Sequence, residues 1–134
     1  VWVGLTLDDE NPACLRSGEP WQQAIGVLEA IGIDAILVNC SKPETISAIW
    51  SEFASLNHLP IGAYANGFTS IDALKPGGTV SALQARQDLG PQAYADVALE
   101  WVAGGASIIG GCCEVGPEHI ACLSNRLDSL GYQR

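Results

Sequence analysis

Apolar positions along the chain follow two alternating rhythms. Short runs with strand character lie at about Trp2–Leu7, Asp34–Asn39, Ile61–Ala65 and Ala106–Gly110. The second is almost continuously apolar, as a strand buried on both faces should be. Between the runs, apolar residues recur at helical spacing. After Glu19-Pro20 they are Trp21, Ala24, Ile25 and Leu28, and Gly32 ends that helix. After Ser41-Lys42-Pro43-Glu44, which has capping-box spacing, they are Ile46, Ile49, Trp50 and Phe53. Pro91 opens a third helix with Tyr94, Val97, Ala98 and Trp101, closed by Gly104-Gly105. Pro117 opens the last, with Ile120, Leu123, Leu127 and Leu130, closed by Gly131. A long stretch, Asn66 to Gly90, precedes the third helix. Connections of that length are functional lids or carry a short helix of their own, here predicted over Val80–Leu89.

Strands alternating with helices predict a parallel sheet with right-handed crossovers. The class is therefore α/β, in the order (βα)4, with residues 1–134 as a single domain. Two architectures satisfy that order: an open doubly wound sheet, and half of an eight-stranded barrel. Periodicity does not separate them.

Composition narrows the function. A net charge of −9 disfavours nucleic acid and anionic membrane surfaces as partners. No apolar run is long enough to span a bilayer, and no signal peptide opens the sequence. Five cysteines, an odd number without disulfide-scaffold spacing, fit a reducing cytoplasm. The chain opens at Val1 inside an apparent strand and has no methionine, so a fragment lacking its N-terminal part is expected.

The chemistry concentrates in Gly110-Gly111-Cys112-Cys113. Neighbouring side chains on a regular strand point to opposite faces. Both thiols reach one point only if the chain leaves strand geometry, which Gly110-Gly111 permit. Cys40 ends the second strand in an equivalent place. The C-terminal edge of a parallel sheet carries the chemistry in such folds, and three thiolates gathered there would hold zinc with one position open. Free cysteines are more commonly small core residues, which is the reading for Cys14 and Cys122. A vicinal redox pair is the competing account of Cys112-Cys113, although adjacent cysteines form a strained disulfide. Asn66 could contact substrate or metal, or simply make an Asn-Gly turn. Asp8-Asp9-Glu10 reads as an exposed acidic loop, His58 as solvated, His119 as a surface or packing residue, and Trp50 and Trp101 as core.

Asn39-Cys40, Tyr64-Ala65-Asn66-Gly67 and Gly110-Gly111-Cys112-Cys113 with Pro117, His119 and Ile120 resemble the homocysteine S-methyltransferases. The resemblance spans essentially the whole chain but only the second half of the family's domain. It implies the C-terminal half of a (β/α)8 TIM barrel, strands five to eight. It also implies zinc bound by Cys40, Cys112 and Cys113; Asn66, at the end of the third strand, is the candidate substrate-binding residue beside them. The implied reaction is zinc-dependent methyl transfer to the homocysteine thiol, giving methionine, from a donor such as S-methylmethionine. The fragment is expected to be inactive alone and to self-associate. The alternatives are a non-catalytic zinc-binding half-barrel module and a thiol redox protein. Three positions depart from the family pattern: Leu37 for a usual Gly, Ala65 for a frequent Pro, and Gly116 for a frequent Thr or Ser. The last predicts that the final helix lacks a side-chain cap, at about 0.5 kcal/mol or less.

Overall fold

Strand and helix alternate four times in the computed structural model, which describes residues 1–56, 58–70 and 79–132. The elements are β1 (Trp2–Leu5), α1 (Trp21–Ala30), β2 (Ala35–Asn39), α2 (Pro43–Leu56), β3 (Ile61–Tyr64), α3 (Pro91–Ala103), β4 (Ile108–Ile109) and α4 (Pro117–Ser129). The strands form one parallel sheet in the order β1-β2-β3-β4. A doubly wound sheet would reverse its strand order at a switch point and carry helices on both faces. Here the order is sequential. All four helices contribute to one core cluster, over Leu5, Ile36, Val38, Ile61 and Ala63. The fold is a (βα)4 half barrel.

Parallel pairing sets side chains in rows. Gly4, Leu37, Gly62 and Ile108 share one row on the face opposite the helices. Gly62 has to be small there: a Cβ would lie 2.5 Å from the Ile108 carbonyl oxygen and 2.9 Å from Leu37 Cδ2. Gly4 has to be small because the Tyr64 hydroxyl reaches across the face, 2.5 Å from where its Cβ would be. The next row carries Asn39 and Tyr64. This face is therefore small and polar near the C-terminal strand ends. Ile36 and Val38 turn the other way and are 0% exposed beneath the helices. Apolar exposure lies at the β1 side of the sheet, through Val1, Trp2, Val27 and Ile31, and on and after α4, through Ile120, Leu130 and Tyr132.

The helix layer is tied together by aromatic contacts. Trp21 of α1 meets Phe53 of α2 at 5.8 Å between ring centroids; Trp50 of α2 meets Trp101 of α3 at 6.1 Å. Tyr94 of α3 meets Trp101 at 6.5 Å and His119 of α4 at 6.0 Å. Such pairs contribute roughly 0.5–1.5 kcal/mol each beyond their burial. Trp101 also donates its indole N–H to Ser47 Oγ at 2.9 Å.

Two local expectations are corrected. The span Val80–Leu89 is not a helix: only Val80–Ala82 makes a single 3₁₀ turn. The following residues pair with the chain after β3 instead, Thr69 N–H to the Gln84 carbonyl at 2.9 Å and Arg86 N–H to the Gly67 carbonyl at 2.8 Å. Residues 71–78 of the same long connection lie outside the described residues. Ser41 does not cap α2. It donates to the Asn39 carbonyl and accepts from Leu7 N–H, while Asp9 Oδ1 accepts from Lys42 N–H at 2.9 Å and Thr45 Oγ1 at 2.7 Å. A third expectation holds: Gly116 gives α4 no side-chain cap at its N-cap. His119 Nδ1 accepts the Gly116 N–H at 3.2 Å, and its Nε2 lies 3.0 Å from the Leu89 carbonyl oxygen.

Candidate metal centre

Cys40 follows the last residue of β2. Continued strand geometry would turn its side chain towards the helices, opposite to Asn39. Instead it takes a left-handed backbone conformation, φ +52°, which costs an ordinary L-residue about 1–2 kcal/mol. Three hydrogen bonds hold it there. Its N–H donates to the Tyr64 carbonyl at 3.2 Å. Its carbonyl accepts from Asn66 Nδ2 at 2.9 Å and from Arg16 Nη2 at 3.0 Å.

Asn66 is 0% exposed. Its N–H donates to the Ser41 carbonyl at 3.0 Å and its Oδ1 accepts from Phe68 N–H at 3.0 Å. Both ends of the amide are engaged inside the fold. Through Nδ2 it holds the Cys40 carbonyl.

The second arm of the site leaves β4 through Gly110 and Gly111. Gly110 N–H and Cys112 N–H still donate to the Ala63 and Ala65 carbonyls, at 3.1 and 2.9 Å. The chain then folds back on itself. Glu114 has φ +63°, and Val115 N–H donates to the Cys112 carbonyl at 3.1 Å. Any Cβ at Gly111 would collide with Val115, so glycine there is a steric requirement. Gly67 N–H grips the Cys113 carbonyl at 2.8 Å. From below, the buried Tyr94 hydroxyl donates to the Gly110 carbonyl at 2.6 Å. Burial pushes the Tyr94 phenol far up, so it stays a neutral donor.

These two arms bring the Cys40, Cys112 and Cys113 sulfurs within 4.8 Å of one another. The Cys112 and Cys113 sulfurs are 3.9 Å apart. Cys40 and Cys112 are half-buried and Cys113 is exposed. Burial raises the Cys112 thiol first, with neighbouring Cys40 adding to it; burial and then Cys112 raise Cys113. Three thiols crowded together resist becoming three thiolates, and a cation among them removes that repulsion. Sulfurs around a tetrahedral metal with bonds near 2.3 Å sit about 3.8 Å apart. The present spacing approaches that distance, so this soft donor set fits a metal ion. Among the described residues no fourth His, Cys, Asp or Glu joins it, which leaves a position for another ligand. Tyr64 faces the cluster: burial, then Cys112 and Cys40, push its phenol up.

The other sequence candidates stand apart. Asp8 Oδ1 accepts from Glu10 and Asn11 N–H within its own turn, and Asp9 caps α2. His58 is exposed. Cys14 accepts from Asn11 Nδ2 at 3.3 Å and Cys122 packs against the core. Sequence reasoning missed Arg16 and Tyr94 as parts of the site. Neither belongs to a local pattern with the cysteines; only the fold brings them there.

The profile described as homocysteine S-methyltransferase matches residues 1–127. Homocysteine S-methyltransferase 1 of Zea mays is 30% identical over 127 residues, covering 94% of this chain and 37% of that protein. Homocysteine S-methyltransferase of Escherichia coli K12 is 29% identical over 127 residues, covering 94% and 38%. The metallated crystal form of the homocysteine methyltransferase MmuM from Escherichia coli superposes with a TM-score of 0.68 at 28% identity. It covers 93% of this chain and 35% of that one. The chain thus spans little more than a third of the relatives it matches.

Asn66→Ala is expected to weaken metal binding about 10- to 100-fold, the range for losing a group that orients a ligand. Competition with a chromogenic chelator measures this. Unchanged affinity would show that Cys40 holds its conformation without Asn66.

Proposed function

The chain belongs to the homocysteine S-methyltransferase family, and we propose that it carries the zinc-binding part of an enzyme that methylates the thiol of homocysteine to give methionine. The observation that carries this reading is the meeting of three thiols within 4.8 Å at the C-terminal ends of β2 and β4. In this reading Cys40, Cys112 and Cys113 are the metal ligands. Thiolate ligands in tetrahedral array favour zinc among common biological metals. Cys40, Cys112 and Cys113 would hold the ion with one position open, and the bound ion would supply the charge that keeps a substrate thiol deprotonated near neutral pH.

The chain's own residues supply position. Asn66 and Arg16 fix the Cys40 carbonyl; Gly67 and Tyr94 fix the turn bearing Cys112 and Cys113. The neutral Tyr64 hydroxyl stands beside the cluster. Holding the acceptor in place for in-line attack on a methyl donor contributes through orientation. A sulfonium such as S-methylmethionine suits this as donor, because the reaction discharges its positive charge. Three neighbouring thiols must stay reduced to bind metal, which is why this reading assigns the protein to the reducing cytoplasm. No described helix is long and apolar enough to cross a membrane.

Freshly reduced protein is expected to bind one zinc per chain, and the Cys112→Ser, Cys113→Ser double variant none. Metal analysis after gel filtration decides this; undiminished zinc in the double variant would remove these residues as ligands.

The 134-residue chain by itself is expected to show negligible methyl transfer from S-methylmethionine to homocysteine, because it supplies four strands of an eight-stranded barrel. Turnover matching that of a full-length family member assayed alongside would place the whole active site in this segment.

The same chain is expected to self-associate. Among the described residues no strand pairs with the outer edge of β1, and Trp2, Val27 and Ile31 expose apolar surface beside it. Light scattering across a dilution series checks this, and a monomer at every concentration would contradict it.

A further inference from the structure

We propose that Arg16 is a substrate-binding residue: its guanidinium, fixed beside Cys40, receives the carboxylate of the amino-acid thiol that the metal centre holds. This rests on the reading of the centre as a thiol-binding site.

Arg16 lies in the excursion between β1 and α1, twenty-four residues before Cys40. That excursion is pinned to the strand ends rather than loose. Leu7 bridges Leu15 and Cys14 bridges Pro20 in antiparallel fashion, and Arg16 N–H donates to the Thr6 carbonyl at 3.0 Å. The side chain then reaches the Cys40 carbonyl through Nη2 alone. A guanidinium has five N–H donors in a planar fork, so most of this one is uncommitted. The residue is exposed, and among the described residues no carboxylate pairs with it.

That lack of a partner is informative in a chain of net charge −9. Arg86 is engaged by Glu44 and Asp88, and Arg126 by Asp96. Arg16 is the described arginine that acidic side chains leave open, and it is the one that touches a thiol-bearing residue. A divalent ion with three thiolates carries one net negative charge, and a bound substrate thiolate adds another. A substrate carboxylate drawn beside that centre meets repulsion unless a cation lies next to it. A guanidinium suits this because it can pair with both carboxylate oxygens at once. The ligand class this selects is a thiol bearing a carboxylate, rather than a simple alkyl thiol or an aminothiol.

The test uses the full chain loaded with cobalt(II), whose thiolate absorption changes when a further thiol binds. The probes are L-homocysteine and 3-amino-1-propanethiol, which keeps the thiol and amine but lacks the carboxylate. The unaltered protein is expected to bind homocysteine about tenfold tighter or more, the scale of one charge-assisted pairing. Arg16→Gln is expected to remove that preference, weakening homocysteine about tenfold more than it weakens 3-amino-1-propanethiol, and Arg16→Lys to keep part of it. Lys42→Gln, a nearby charge loss, is expected to keep it whole. Equal loss of both thiols in Arg16→Gln would show that Arg16 only supports Cys40, and unchanged binding of both would show no role; either overturns the proposal. If neither thiol alters the spectrum of the unaltered protein, the thiol-binding reading of the centre fails and this proposal with it.

Discussion

A cysteine held in the left-handed region of backbone space is the constraint on which this site depends. Without it, the Cys40 thiol would point into the helix layer and the cluster would have two members. The conformation persists because its carbonyl has two donors, Asn66 Nδ2 and Arg16 Nη2, on different segments of chain. Strain of this kind survives where surrounding contacts over-determine it. Asn66 is in turn fixed by Ser41 and Phe68. The site thus has a rigid floor made of hydrogen bonds, and its exposed side is where ligands approach.

The other arm is built by steric exclusion. Gly111 lets the chain turn back onto Val115, and Tyr94 and His119 secure the turn from the helix layer. Tyr94 also belongs to the aromatic series running through Trp101 and Trp50 to α2. Packing of the helices and placement of the thiols are therefore mechanically continuous. A change in the α3 core would be felt at Gly110 through one hydrogen bond.

Charge sets the remaining terms. The chain is acidic overall, yet the candidate centre gathers groups that become negative when they bind metal. Burial and mutual proximity hold Cys112 and Cys113 above the usual thiol range. Metal binding must therefore displace protons, and affinity rises with pH while any of the three thiols remains protonated. Arg16 is the described arginine at this edge that no acidic side chain pairs with.

The sequence alone determined the four strand–helix units, their parallel pairing and the buried helix stripes, because those patterns repeat within one turn or one pleat. It also marked Cys40, Cys112 and Cys113 as residues at one edge, since strand ends in a parallel sheet share that edge. Composition and spacing left two architectures open, and the sequential strand order with helices on one face selected the half barrel. What only the tertiary structure decided is everything that joins segments far apart in the chain. Asp9 instead of Ser41 caps α2 from 33 residues away. Arg86 pairs back to Gly67 and draws Val80–Leu89 out of a helix. Asn66 and Arg16 reach Cys40 across 26 and 24 residues. Even at the start of α4, His119 meets both the Gly116 N–H of its own turn and the Leu89 carbonyl 30 residues away. Periodicity reports which face a residue occupies; which distant donor meets its carbonyl depends on the closed geometry of the whole sheet.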